Sequence, residues 1–186
     1  MIVYHGSTEI IKNPDVVHSK KYLDFGRGFY ITTFENQAKK WAVRKGMRQE
    51  KNAIVNVYEL SEAWDDFKVL SFEKENEKWL DFVCACRKGQ PINKEYDIII
   101  GNVADDDVFK TVDMYFRCLW DKEKVLGELR YYKMNNQIGI VNQEILDRLI
   151  TFKRAYEVEN NGRLKSNWKK FISKIWKMIS SMQFLK

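Results

Sequence analysis

Two stretches near the N-terminus bring together side chains able to do chemistry. Ile2-Val3-Tyr4-His5-Gly6-Ser7 reads as an apolar strand ending in an imidazole, a bare backbone position and a hydroxyl. His5 is one of two histidines in the chain; by itself it reads equally as a hydrogen-bonded core residue. The second stretch is Leu23-Asp24-Phe25-Gly26-Arg27-Gly28-Phe29-Tyr30-Ile31. Gly26 and Gly28 permit backbone angles closed to other residues and allow a ligand close to the main chain. Phe29, Tyr30 and Ile31 suit a strand. Arg27, between the glycines, carries a guanidinium that suits a phosphate, or is simply an exposed arginine.

These residues need elements to hold them. Thr32-Thr33 lead into a helix over 35–49, with Thr33 as its cap. Its three-and-four spacing puts Ala38, Trp41, Ala42 and Lys45 on one stripe. Residues 8–22 form a loop around Asn13-Pro14-Asp15, in which His18 reads as exposed. The pattern predicts strands over 53–60, 67–72 and 96–101, the last a buried central strand. A helix over 73–88 has Trp79, Phe82, Val83 and Cys86 on its buried side and is stopped by Gly89-Gln90-Pro91. Asp105-Asp106-Asp107 suggests either a divalent metal or the carboxylate-rich start of a helix running to about Leu119; the helix start is the plainer reading. A helix from Asp121 to about Met134, a turn and strand at Asn135 to Val141, a short helix over 143–149 and a last strand over 151–158 complete an α+β body.

Composition narrows the class. An apolar fraction of 45% excludes a disordered chain. Neither a signal peptide nor an apolar run long enough to span a bilayer is read, and three cysteines without framework spacing (Cys84, Cys86, Cys118) suggest reduced thiols, so a cytoplasmic location is expected. Cys84-x-Cys86 lacks the partners for a metal site, and none is expected. The net charge of +6 comes from the end of the chain: residues 163–186 carry seven basic and no acidic side chains. The rest is close to neutral, with 25 basic against 26 acidic.

A strand ending in His-Gly-Ser, followed by Gly-x-Gly-Phe-Tyr, resembles the NAD-binding core of ADP-ribosyltransferases of the poly(ADP-ribose) polymerase and diphtheria-toxin type. The wider set of Tyr-His-Gly-Ser, Asp-Phe-Gly-x-Gly-Phe-Tyr-Ile-Thr, Gln-Ala-x-x-Trp-Ala, Tyr-Asp-Ile-Ile-Ile-Gly-x-x-Ala-Asp-Asp-Asp and Asn-Gln-Ile is similar to a family of uncharacterised bacterial proteins regarded as ADP-ribosyltransferase-like. The resemblance covers roughly residues 1–155. It implies an α+β fold with a split, bent β core gripping NAD, and a domain over 1–160. It implies that His5 donates to the adenosine ribose, that Gly6 offers backbone groups to the nicotinamide amide with Ser7 beside it, and that Tyr30 stacks on the nicotinamide ring. Arg27 and Gly28 line the same ligand, and Trp41 either closes the other face of the ring or is a core tryptophan. The family's catalytic glutamate falls on Gln137, which can bond a ribose hydroxyl but supplies neither negative charge nor a base. Glu144 or a carboxylate of the target are the substitutes to consider.

The resemblance thus implies a mono-ADP-ribosyltransferase acting on a protein or nucleic-acid target, in a class that includes bacterial toxins, toxin–antitoxin pairs and phage-defence factors; an antitoxin or partner protein is an option on which the sequence is silent. The alternative implied by Gln137 is a catalytically weak or inactive NAD or ADP-ribose-binding module. The third reading rests on residues 163–186. Trp168, Ile172, Ile175, Trp176 and Ile179 recur at helical spacing among lysines, a basic amphipathic helix suited to the protein body, an anionic membrane or nucleic acid.

Overall fold

The computed structural model describes residues 1–102, 106–129 and 136–159. The predicted tail over 163–186, Asp105 and residues 130–135 lie outside these. Among the described residues, seven strands form two sheets. Strand β1 (Ile2–Ser7) pairs antiparallel with β3 (Ala53–Leu60), and β3 with β7 (Ile150–Val158), giving the order β1-β3-β7. The second sheet runs β2-β6-β5-β4, from β2 (Phe29–Ile31), β6 (Gln137–Ile140), β5 (Ile98–Gly101) and β4 (Val69–Ser71). Late strands therefore pair with early ones: β6 with β2 and β7 with β3. The class is α+β, as the sequence predicts.

The sheets meet at one antiparallel bridge, in which Tyr4 and Thr32 exchange backbone hydrogen bonds of 2.8 and 3.0 Å. Residues opposite each other in an antiparallel pair point to the same face. One face of the joined array therefore carries Val3, His5, Phe29 and Ile31, and the other carries Tyr4, Gly6, Tyr30 and Thr32. The array folds the first face onto itself. Val3, Tyr58 and Leu60 of one sheet pack there against Phe29, Ile31, Ile98, Ile138 and Ile140 of the other, closed by helix α5 (Gln143–Leu149).

Helices cover the second face. Helix α1 (Glu35–Gln49) lays Ala38 and Ala42 on Val55 and Val57. Helices α2 (Glu77–Arg87), α3 (Asp106–Phe116) and α4 (Lys122–Leu129) pack around Phe25, Trp79, Val83 and Ile99 on the four-stranded sheet.

Several predicted ends move, each for a local reason. Helix α1 has Phe34 at its N-cap position, with no side-chain capping bond, and Thr33 does not cap it because its N–H and hydroxyl are both bonded to the Asn136 side chain. Helix α2 starts four residues later than predicted because Asn76 Oδ1 accepts from the Trp79 N–H and caps it. Phe82, predicted on its buried side with Trp79, Val83 and Cys86, is only partly buried, whereas Leu80 and Cys84 are fully packed. Helix α3 is described over Asp106–Phe116, with residues 103–105 before it outside the described residues, and it ends at Phe116 because Cys118 adopts a left-handed φ of 58°.

Candidate functional site

The Tyr4–Thr32 bridge sets the geometry of the split. Because Tyr4 directs its N–H and C=O to β2, Gly6, two residues on, directs its own to the same edge. No ladder bond to β2 forms there. The Tyr30 carbonyl that would pair with it is taken instead by the His5 side chain, at 2.6 Å from Nδ1. His5 thus acts as a wedge that holds the strands together at their backs and leaves the Gly6 peptide edge open. An N–H and a C=O on one edge are the complement of a primary carboxamide.

That hydrogen bond also fixes the imidazole. A carbonyl only accepts, so Nδ1 carries the proton and Nε2 presents a lone pair. The ring stacks on Phe29 at 4.7 Å between centroids. Burial, together with the charge of Lys45, lowers its pKa to about 4 against the opposing Tyr30 carbonyl. At neutral pH His5 is therefore an acceptor for a hydroxyl, not the second donor that the sequence resemblance implies. Ser7 lies on the same face, 5% exposed.

Gly6 has a second role. A Cβ there would lie 2.3 Å from the Ala38 carbonyl oxygen and 3.0 Å from the Trp41 Cβ. The bare position lets α1 seat on β1 and brings Trp41 to the edge of the split. Trp41 is 40% exposed and is not the core tryptophan of the plainer reading. The Arg44 guanidinium lies over its ring at 5.9 Å.

The glycine turn is held from several sides. Arg87 grips the Asp24 carboxylate through Nε at 3.0 Å and a terminal nitrogen at 2.6 Å, both residues largely buried. Gly26 has a φ of 72° and rests against Asn93, where a side chain would collide. Tyr30 donates its hydroxyl to the Gly26 carbonyl, and its ring lies along Gly139 and faces Phe25. Burial raises the phenol well above its usual pKa, so Tyr30 offers a ring, not an acid or base. Gly28 leaves room that the Ile140 carbonyl fills, 2.8 Å from where its Cβ would be. Its bareness serves strand packing. The Arg27 Nε is buried without a hydrogen-bond partner.

Gln137 opens β6, paired with Gly101 of β5. Alternation with Gly139, which faces the Tyr30 ring, puts Gln137 on the Tyr30 face of the sheet. Its Nε2 is buried and unpartnered. Glu144 is not brought to it: it lies beyond the far end of β6, exposed, in the first turn of α5. His18 is exposed and pairs with Asp15 at 2.7 Å, as a surface loop histidine does. Cys84 and Cys86 sit in the α2 core, where burial raises both thiols, Cys86 to about 12. Among the described residues no three metal-ligating side chains cluster. None of the described helices is long and apolar enough to cross a membrane.

Sequence reasoning passed over three residues. Lys45 is half-buried; burial lowers its pKa, and the charges of Arg48 and Lys20 lower it further. The carboxylate of Glu9, which acts the other way, is bonded to Lys51 at 2.8 Å. The signal was present: a lysine on the same stripe as two buried alanines is drawn toward the interior with its aliphatic stem packed. Asn136 ties three elements together, bonding Thr32, Thr33 and Gln37. Gln37 Oε1 is buried without a partner.

A family model described as a protein of unknown function (DUF3990) matches residues 1–152, which include every strand and helix bordering the split. No curated protein matches the chain.

Proposed function

The chain belongs to the DUF3990 family, whose description assigns no activity, and we propose that its cleft binds NAD and transfers ADP-ribose to a nucleophile on a protein or nucleic-acid target. The observation that carries this reading is the junction of the two motifs. His5 Nδ1 donates to the Tyr30 carbonyl at 2.6 Å across 25 residues of sequence, and the Gly6 peptide edge stays open beside it.

In this reading the nicotinamide carboxamide pairs with the Gly6 N–H and C=O, and its ring lies between the Tyr30 and Trp41 side chains. His5 Nε2 accepts from a hydroxyl of the adenosine ribose. The cations at Lys45, Lys20, Arg48 and Arg27 suit the pyrophosphate. The bond from C1′ of the ribose to the pyridinium nitrogen breaks, and its electron pair leaves with neutral nicotinamide. Positive charge grows on the ribose until the target nucleophile attacks C1′ and releases its proton to solvent. No metal has a step in this sequence.

Gln137 favours a second reading. A glutamine dipole stabilises the ribose cation less than a carboxylate would, and one such electrostatic group is worth about 3–4 kcal/mol of barrier. A cleft that binds NAD without turnover is the alternative. Labelled NAD incubated with the purified protein and lysate, followed by separation of protein and nucleic acid, tells the two apart. Transfer puts label in one fraction and releases nicotinamide, and both are lost in Trp41→Ala and Tyr30→Ala. NAD that raises the melting temperature without nicotinamide release supports the binding module. No stabilisation and no release overturns both.

A further inference from the structure

Two amide groups joined through the Asn136 backbone are left with complementary halves of a hydrogen bond. Gln37 Nε2 donates to the backbone carbonyl of Asn136 at 2.7 Å. A carbonyl only accepts, so this contact settles which end of the Gln37 amide is nitrogen, and its Oε1 is buried with no partner. The anchoring carbonyl belongs to the peptide leading into Gln137, whose Nε2 is also buried with no partner. The anchor is rigid: Asn136 Oδ1 accepts from Thr32 Oγ1 at 2.8 Å and from the Thr33 N–H at 3.1 Å, and its Nδ2 donates to Thr33 Oγ1 at 2.7 Å. The beginning of α1, the end of β2 and the beginning of β6 are thereby locked around these amides.

We infer that Gln37 is a substrate-binding residue that, with Gln137, grips one ribose hydroxyl: Gln37 Oε1 accepts its proton and Gln137 Nε2 donates to its oxygen. A buried acceptor and a buried donor both left unpaired are costly. The chemistry selects the group that meets both. A phosphate or carboxylate answers only the donor, and an ammonium answers only the acceptor. A hydroxyl is donor and acceptor at one atom. A carboxamide also has both, but the open Gly6 edge already complements one. This assignment rests on the NAD reading, in which Gln137 meets the 2′-hydroxyl of the nicotinamide ribose. It means that the hydroxyl is held by two neutral groups instead of one carboxylate.

The test is calorimetric binding of NAD, and of its analogue lacking that 2′-hydroxyl, to wild type, Gln37→Met and Gln137→Met. Wild type is expected to bind NAD about tenfold more tightly than the analogue, the worth of one well-made hydrogen bond. Gln37→Met is expected to weaken NAD by a similar factor and to leave the analogue unchanged, and Gln137→Met to do the same. If wild type binds NAD and Gln37→Met weakens NAD and analogue equally, or neither, the inference is wrong while the NAD reading stands. A Gln37→Met variant that only melts earlier without ligand, with affinities as in wild type, marks Gln37 as a brace for Asn136. If wild type binds neither ligand, the NAD reading falls and takes this inference with it.

Discussion

At His5 a single hydrogen bond decides the tautomer and with it the role, while its surroundings decide the protonation. Burial and Lys45 hold its pKa at about 4 in the folded chain, against 6.5 when free. Between these values the unfolded chain binds more protons than the folded one, so acid favours unfolding. The contribution is complete above pH 6.5 and is lost as the pH falls toward 4. From pH 7 to pH 5 the folded state should lose about 2 kcal/mol from this residue. Urea unfolding at the two pH values measures it. His5→Gln keeps a donor for the Tyr30 carbonyl but does not titrate, so it should remove that share of the difference; an unchanged difference would show that His5 is not protected from protons. Gln137 invites the opposite experiment. If the split is a transferase site short of charge, Gln137→Glu should raise nicotinamide release about tenfold or more, measured as free nicotinamide against time. An unchanged or lower rate would point to a site shaped for two neutral amides.

At the scale of elements, the contact between β1 and α1 is the one the split depends on. Gly6 sits under the helix backbone, with room for no side chain. Gly6→Ala should force α1 away from β1 and cost about 1–3 kcal/mol by overpacking, read as a lower urea midpoint. Because Trp41 rides on the same helix, NAD affinity should fall as well. A variant as stable as wild type would mean that α1 shifts freely, and the open edge would then not be a fixed feature. Helix α1 and strand β3 stand where periodicity predicts, since each has a clear apolar pattern and long runs. The ends that moved, at Asn76 and Phe116, were moved by a cap and a turn, and at α1 only the expected cap residue changed. A cap depends on which side chain a distant residue engages: Thr33 is occupied by Asn136, over a hundred positions away.

For the whole molecule, β7 is the last strand among the described residues and ends at Val158 as the third strand of its sheet. A chain ending at residue 159 should therefore melt as the full chain does and retain NAD binding, while any membrane or nucleic-acid affinity of the basic segment is lost. Thermal unfolding and NAD titration of the two chains check this. A shortened chain that no longer folds would make residues 163–186 part of the body.

The sequence by itself determined the α+β class and the order of the elements, and it singled out His-Gly-Ser and Gly-x-Gly-Phe-Tyr as the residues those elements must place. These follow from local pattern: alternation, helical spacing and glycine placement act over a few residues at a time. Only the tertiary structure decided what each residue presents. It turned His5 into an acceptor by giving its one proton to Tyr30, brought Trp41 to the rim by seating α1 on Gly6, and separated Glu144 from Gln137 by the length of a strand. It also left Gln37 Oε1 buried without a partner and drew Lys45 into a half-buried position that lowers its pKa. The reason is physical: hydrogen-bond partners and desolvation come from residues remote in sequence, and no pattern within one element records them.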